Sequence, residues 1–229
     1  MKTIGIIGGL TWLSTAAYYR LLNEMTNEKL GGVHAAKIIL YSVNFHEIKT
    51  LTFAEDWEGI TQMICSIAQK LENAGAGCIL IGANTMHRIA GEVQEVIAVP
   101  LIHIAAATGK AIEKLQLKKV ALLGTKYTME HGFYQQELEK YNITAILPDE
   151  EDRQYIHDAI YNEMGKNIFL PSTKGKMLAI IDKLIKEGAE GVILGCTEIP
   201  ILIKQPDCSI PVFDTTFIHA SAAVEYAIS

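Results

Sequence analysis

The residue with the greatest chemical potential in this chain is Cys196. It follows an apolar run, Gly191–Gly195, and precedes Thr197 and Glu198. Such a run predicts a buried strand that ends at a strand-to-helix turn. A thiol at a helix N-terminus can serve as a nucleophile or a proton carrier, because the helix dipole favours its thiolate. We therefore expect Cys196 to be functional rather than a small buried hydrophobe.

An earlier stretch of the chain has the same pattern but lacks the thiol. Residues 75–85 align without gaps on residues 188–198, and Ala83 takes the position of Cys196 in this alignment. A methyl group can neither accept nor donate a proton. The matched positions Ala83 and Cys196 therefore differ in the thiol, the group that could transfer a proton.

The two stretches belong to a longer internal repeat. Residues 119–125 align on residues 3–9, and residues 210–214 align on residues 99–103, in the same order along the chain. Three ordered matches indicate a duplicated unit.

Each half of the repeat alternates short apolar runs with longer helical patterns. The predicted strands are residues 3–7, 36–44, 78–82, 100–103 and 143–147 and the apolar run 191–195, and the repeat places two more within residues 119–125 and 210–214. The predicted helices are residues 15–30, 56–73, 84–97, 105–115, 128–141, 152–164, 171–186 and 217–228. This order predicts an α/β fold of two pseudo-symmetric Rossmann-like lobes, each with a mainly parallel four-stranded sheet flanked by helices.

We expect an N-terminal lobe at residues 1–108, a C-terminal lobe at residues 109–215, and a C-terminal helix at residues 216–229 that can pack on the first lobe. Open α/β sheets bind ligands at the carboxyl ends of their strands. If the lobes meet with those ends facing each other, the active site lies in the cleft between them.

Short polar residues follow several of the predicted strands. Asn84, Thr85, Thr125 and Thr197 could hold a carboxylate together with free backbone N–H groups, or could simply cap helices. Glu198 could equally cap a helix or bind the ammonium group of a substrate. The two functions are compatible, because a cap residue often lies at the edge of a ligand.

Other motifs favour structural roles. Gly8 and Gly9 follow the first strand, but the spacing of the glycines fails the dinucleotide-binding pattern, so we interpret them as a tight turn that lets the backbone approach a small ligand. His87 is better explained by packing than as a base. His103 and Asp214 match across the repeat and could support the site.

Composition excludes several classes of protein. The chain has 229 residues, a formal net charge of -6 and no basic cluster, which argues against binding to nucleic acid or to an anionic membrane. The first apolar segment is too short for a signal peptide or a membrane span, so we expect a cytoplasmic protein. The four cysteines form no CxxC pair, which predicts free thiols and no structural zinc.

Four segments carry a family resemblance. GGLTWLST at residues 8–15, GANTMH at 82–87, GCTEIP at 195–200 and PVFDT at 211–215 resemble the aspartate/glutamate racemase family of cofactor-independent amino-acid racemases. The resemblance covers the whole chain in family order. It implies two α/β lobes, often as a homodimer, and an acidic amino acid as substrate, with no pyridoxal phosphate and no metal. It also implies paired cysteines that take and return the α-proton on opposite faces.

The resemblance assigns the second catalytic cysteine to Cys196. Glu198 replaces the histidine of glutamate racemases, which favours the aspartate branch. The candidate substrate-binding residues are Leu10, Thr52, Asn84, Thr85, Thr125, Lys166, Thr197 and Glu198.

The chain departs from the family at Ala83, where the first cysteine is usual. Either this residue was replaced to trap a ligand, or the natural protein uses water or another group on that face, or the reaction needs one base. The third case resembles the single-cysteine arylmalonate decarboxylases. The rival functions are thus a one-base lyase or isomerase and a non-catalytic dicarboxylate-binding protein.

Overall fold

The computed structural model describes all residues from Met1 to Ser229. Its strands are β1 (Ile4–Gly8), β2 (Ile38–Ser42), β3 (Cys78–Ile81), β4 (Lys119–Gly124), β5 (Thr144–Ile146), β6 (Gly191–Gly195) and β7 (Val212–Asp214). Its α-helices are α1 (Trp12–Leu30), α2 (Phe45–Phe53), α3 (Trp57–Asn73), α4 (Ala90–Glu95), α5 (Ile104–Lys114), α6 (Lys126–Glu130), α7 (Phe133–Glu139), α8 (Glu150–Asn162), α9 (Pro171–Lys186), α10 (Ile199–Leu202) and α11 (Thr215–Ile228). Short 3-10 helices cover Thr85–Ile89, Met164–Lys166 and Gln205–Asp207.

The strands form two parallel sheets, which confirms the predicted α/β class. The first sheet has the order β2-β1-β3 and the second the order β5-β4-β6-β7. In both sheets the first strand of the repeat is an interior strand, with a neighbour on each side. Helices connect successive parallel strands, as the alternating sequence pattern requires.

The predicted fourth strand of the first sheet is reduced to a single bridge between Ile79 and Leu101. The backbone N–H of Ile79 donates to the carbonyl of Pro100, and the N–H of Ile102 donates to the carbonyl of Ile79, so the pairing does not continue beyond Leu101. The first sheet therefore has three strands rather than four.

The chain divides into two compact units. The first comprises residues 1–103 together with 219–229, and the second comprises residues 104–218. The division runs just before α5 and again within α11, whereas the sequence placed lobe boundaries after residues 108 and 215.

Each sheet is covered on both faces by apolar side chains. In the first unit, Ile4 and Ile6 pack with residues of α1 and α11, while Ile7 packs with residues of α3 on the opposite face. In the second unit, Leu123 and Leu122 point to opposite faces in the same way. This alternation explains why the central strands are continuous apolar runs.

Some helices differ from their predicted bounds for local reasons. The helix α2 was not predicted, although Asn44 caps it by accepting a hydrogen bond from the N–H of His46. The helix predicted at residues 128–141 is interrupted by Gly132, whose φ of 78° ends one helix and begins the next. The helix α1 begins earlier than the predicted residue 15, at Trp12, because Thr11 is its N-cap.

The turn after β1 requires glycine. Gly9 has a φ of 76°, and a Cβ atom there would collide with the carbonyl oxygen of Val43. Its N–H donates to Oγ1 of Thr15 at 2.7 Å. The tight turn is thus confirmed, and the close approach that it permits is to the protein's own backbone.

Candidate active site

The second unit places Cys196 and Thr125 beside each other by strand register. Gly195 at the end of β6 pairs with Gly124 at the end of β4. The next residue of each chain segment, Cys196 or Thr125, therefore leaves the sheet at the same carboxyl edge. This is the edge where open α/β sheets bind ligands.

The thiol of Cys196 is held by a carboxylate. Its Sγ donates to Oε2 of Glu198 at 2.9 Å, and Oγ1 of Thr197 donates to the same oxygen at 2.7 Å. Cys196 is 9% exposed and Glu198 is 3% exposed. The three consecutive residues thus form a compact, largely buried proton-bearing group.

The environment of Cys196 overturns one sequence expectation. Burial, then the negative charge of Glu198 and its hydrogen bond with the thiol, raise the pKa of Cys196 well above its usual value. The backbone N–H groups of Glu198 and Ile199 act in the opposite direction but do not prevail. The expectation that a helix N-terminus favours the thiolate is therefore wrong, since α10 has only one turn and a buried carboxylate touches the sulfur.

Glu198 does not act as a helix cap. It occupies the N-cap position of α10, but its side chain makes no capping hydrogen bond and turns back to Cys196 and Thr197. The capping alternative from the sequence is therefore wrong for this residue.

Tyr161 is a neighbour of the thiol that the sequence did not reveal. Burial, followed by the influence of Tyr127, Cys196 and Glu198, raises the pKa of its phenol. Its ring also lies 4.8 Å from the ring of His157, one turn earlier on α8. No sequence motif marks Tyr161, because its proximity to Cys196 depends on how α8 packs against the second sheet.

The other candidates in the second unit differ in burial. Thr125 is 7% exposed and caps α6, accepting a hydrogen bond from the N–H of Thr128. Lys166 is exposed at the end of a 3-10 helix that follows α8, and its ammonium group makes no hydrogen bond or ion pair. The structure thus places Thr125 at the sheet edge and leaves Lys166 on the surface.

In the first unit, Ala83 leaves the sheet just after β3. The N–H of the preceding Gly82 donates to the carbonyl of Ile7 on β1, and the Gly82 carbonyl accepts from Oγ of Ser14 at 2.6 Å. These bonds fix the end of the strand. Ala83 follows at the carboxyl edge of β3 and is partly buried.

Asn84 and Thr85 continue this edge as buried residues, 4% and 9% exposed. Asn84 has helical backbone angles, φ -66° and ψ -50°, and its side chain makes no capping hydrogen bond. The prediction that it caps a long helix is therefore wrong. The chain instead forms one 3-10 turn, Thr85–Ile89, and then the short α4.

Leu10 and Thr52 also belong to the first unit. Leu10 is 6% exposed and packs in the apolar cluster on one face of the first sheet. Thr52 is 2% exposed, and its Oγ1 donates to the carbonyl of Ile48 at 2.7 Å within α2. Both side chains thus have structural contacts within the unit.

Three histidines cluster behind Ala83. Nδ1 of His87 donates to the Ala83 carbonyl at 2.9 Å, and the His87 ring lies 4.9 Å from that of His103 and 5.3 Å from that of His219. His219 donates from Nε2 to the Ile102 carbonyl at 2.6 Å. A carbonyl oxygen only accepts hydrogen bonds, so His87 carries its proton on Nδ1 and His219 carries its proton on Nε2.

Burial is the main cause that keeps two of these rings neutral. It lowers the pKa of His219 to about 3, and it lowers the pKa of His87 well below the usual value with help from His103 and His219. The carbonyls of Ala83 and Ile102 oppose the shift for His87. The packing role expected for His87 agrees with this environment.

Asp214 has a structural task at the start of α11. Its Oδ1 accepts from the N–H groups of Thr216 and Phe217. Burial raises the pKa of Asp214 in spite of these two bonds.

No group of three or more His, Cys, Asp or Glu side chains is arranged to bind a metal ion, and no helix has the length and apolar character needed to cross a bilayer.

Comparison with known proteins shows the family of this chain. The family model for Asp/Glu/hydantoin racemases matches residues 7–223. The chain belongs to the Asp/Glu/hydantoin racemase family. It is thus an amino-acid racemase by family, a type of isomerase, and the resemblance seen in the sequence is confirmed.

Individual relatives span the full chain. The crystal structure of an assigned Asp/Glu racemase from Yersinia pestis is 46% identical, with a TM-score of 0.94 and complete coverage of both chains. An aspartate racemase homologue from Pyrococcus horikoshii is 39% identical, with a TM-score of 0.88 and complete coverage. The broad specificity amino-acid racemase RacX of Bacillus subtilis is 24% identical over 226 residues, 96% of each chain.

Proposed function

We propose that this protein is a cofactor-independent racemase of acidic amino acids, aspartate or glutamate. Cys196 exchanges the α-proton on one face of the substrate, and Ala83 occupies the position of the usual first cysteine. The observation that carries the proposal is the buried hydrogen bond from Cys196 to Glu198 at the carboxyl edge of the second sheet. Membership of the racemase family supports it.

The substrate class follows from the residues at the two sheet edges. We propose that Asn84, Thr85, Thr125 and Thr197 bind the carboxylates of the substrate through their side chains and nearby N–H groups. Lys166, an exposed cation, adds charge attraction to a dicarboxylic amino acid. Leu10 and Thr52 complete the proposed set from the first unit.

Removing an α-proton leaves a carbanion whose charge spreads into the adjacent carboxylate. Hydrogen-bond donors aimed at that carboxylate stabilise the developing charge, and no pyridoxal phosphate or metal is needed in this scheme. The proton then returns to either face. Return to the face it left gives exchange alone, whereas return to the other face inverts the configuration.

The test is incubation with each enantiomer of aspartate and glutamate in deuterated water. Loss of the α-proton signal and change of optical rotation are followed together. The proposal predicts exchange of the α-proton for at least one acidic amino acid, with inversion. Exchange without inversion would favour the one-base alternative that Ala83 suggests, and binding without exchange would favour the dicarboxylate-binding alternative.

We also propose that the chain forms a homodimer. The strand β2 is at the edge of its sheet, and Leu40 and Tyr41 on it are 44% and 38% exposed. An open strand edge with apolar side chains is a common site of association. Sedimentation equilibrium measures the mass of the protein in solution. We expect the mass of a dimer, and the mass of a monomer at all concentrations would contradict the proposal.

A further inference from the structure

We propose that His87 is a positioning residue, which holds the peptide group between Ala83 and Asn84 in the orientation that the substrate carboxylate requires. The inference rests on the proposed function, since it gives the histidine a task at the edge of the same site. It goes beyond packing, because the task depends on one hydrogen bond of the ring rather than on the volume of the ring.

A single hydrogen bond fixes the side chain of His87. Its Nδ1–H donates to the carbonyl of Ala83 at 2.9 Å, and its other ring nitrogen, Nε2, is buried without a hydrogen-bond partner. Only 2% of His87 is exposed, and a buried polar atom without a partner destabilises a fold. Packing alone would therefore be served better by an apolar ring, and the bond to Ala83 is what the imidazole adds.

The bond to the Ala83 carbonyl also sets the direction of the next N–H group. In a trans peptide the C=O and N–H bonds point in opposite directions, and the chain has no cis peptide bond. Because the Ala83 carbonyl points to His87, the N–H of Asn84 points away from it. In the proposed function this N–H faces the substrate carboxylate, where negative charge develops as the α-proton leaves.

Two neighbouring rings keep the imidazole in place. The rings of His103 and His219 lie 4.9 Å and 5.3 Å from it. His219 is itself fixed at both nitrogens, by the Ile102 carbonyl at 2.6 Å and by the hydroxyl of Tyr18 at 2.8 Å. Tyr18 and His219 are fully buried. The imidazole is therefore supported by side chains of α1 and α11, not only by its own turn.

The hydrogen bond can be observed without substrate by nitrogen NMR. In the unaltered protein we expect Nδ1 of His87 to be protonated and Nε2 to be unprotonated at neutral pH, with slow exchange of the Nδ1 proton with water. Loss of the signal in His87→Phe assigns it. In that variant the amide resonance of Asn84 should shift, because the peptide is no longer held. A His87 protonated on Nε2, or an unmoved Asn84 resonance, would overturn the inference.

Kinetics of α-proton exchange test the effect on the reaction. The substrate carboxylate carries more negative charge in the transition state than in the bound substrate, so loss of an oriented donor should reduce kcat more than it raises KM. We expect His87→Phe to lower kcat about tenfold or more. His34→Phe, the same change at an exposed position, should leave both constants unchanged. An unchanged kcat in folded His87→Phe protein would overturn the inference.

His87→Asn separates the hydrogen bond from the ring. An asparagine amide can reach the carbonyl four residues earlier, as Nδ2 of Asn23 does with the carbonyl of Tyr19 at 2.7 Å. We therefore expect His87→Asn to recover most of the kcat that His87→Phe loses, although it fills less volume. Equal losses in the two variants would show that packing alone matters and would contradict the positioning role.

The substrate-free measurement keeps this inference separate from the proposed function. If the unaltered protein exchanges neither aspartate nor glutamate, the proposed function fails, and nitrogen NMR still decides whether His87 holds the peptide group after Ala83. If exchange proceeds but the NMR spectrum shows no such bond, the proposed function stands and the inference fails.

Discussion

At residue scale, the most informative position is Ala83, because the family resemblance places a cysteine there. The sequence alone identified both Ala83 and Cys196, since their matched repeats end at strand edges. It could not reveal the protonation of Cys196, because that depends on the 2.9 Å contact with Glu198. A short helix and a buried carboxylate reversed the effect expected from the helix dipole.

Ala83→Cys should increase the rate of racemisation. Under the proposed function, a thiol at this position supplies the second proton donor and acceptor that the family resemblance implies, and general acid/base groups contribute about a hundredfold or more. Ala83 is only partly buried, so a sulfur atom displaces little packing. The measurement is the ratio of inversion to α-proton exchange for aspartate.

Ala83→Ser is the matched control, because it adds a group of similar size whose hydroxyl is a much weaker acid than a thiol. We expect the serine variant to leave the ratio near that of the unaltered protein. A cysteine variant that folds and binds substrate but shows no increase would contradict the role given to this position.

At the scale of elements, strands were more predictable than caps. The apolar runs that form β4 and β6 were recognised in the sequence, because buried parallel strands are continuous and apolar. The fourth strand near Pro100 was not formed as predicted, since only Leu101 pairs with β3. The helix α2 was missed, since its nine residues follow β2 after a short turn.

The histidine cluster makes the first unit sensitive to acid. His87 and His219 are buried and neutral in the folded protein. The groups acting on His87 are His103, His219 and the carbonyls of Ala83 and Ile102, and those acting on His219 are His103, the Ile102 carbonyl and the hydroxyl of Tyr18, with no carboxylate among them. In the unfolded chain each ring takes a proton near pH 6.5. The unfolded state therefore binds more protons as the pH falls.

The free energy of unfolding should thus decrease below about pH 6.5, by up to about 1.4 kcal/mol per pH unit for each ring. For His219 this dependence continues to about pH 3. Urea unfolding at several pH values measures it. His219→Gln should reduce the slope of the free energy of unfolding against pH by the equivalent of one proton. His34→Gln, at an exposed position, should leave this slope unchanged. An unchanged slope in folded His219→Gln contradicts this account.

At the scale of the whole molecule, the C-terminal end of the chain completes the first unit. Ala220, Ala223 and Val224 of α11 pack in one apolar cluster with Ile4 and Ile6 of β1. The N–H of Lys2 also donates to the carbonyl of Ala227 at 2.7 Å. The sequence predicted this helix from its composition, but its packing partner depends on contacts between residues at opposite ends of the chain.

Val224→Ala should therefore destabilise the protein, by about 1–3 kcal/mol, because it removes two methyl groups that are fully buried. Urea unfolding gives the change in free energy. Phe217→Ala, at a position 52% exposed on the same helix, is the control and should have a smaller effect. Equal effects of the two changes would contradict the packing described for α11.

The most direct test of the central claim is α-proton exchange of aspartate and glutamate in deuterated water by Cys196→Ala protein, beside Cys208→Ala as a control. Cys208 follows the 3-10 helix Gln205–Asp207 and is partly buried. The account predicts that exchange is lost when Cys196 is replaced and retained when Cys208 is replaced. Exchange that survives in folded Cys196→Ala protein would contradict the assignment of this thiol as the proton carrier.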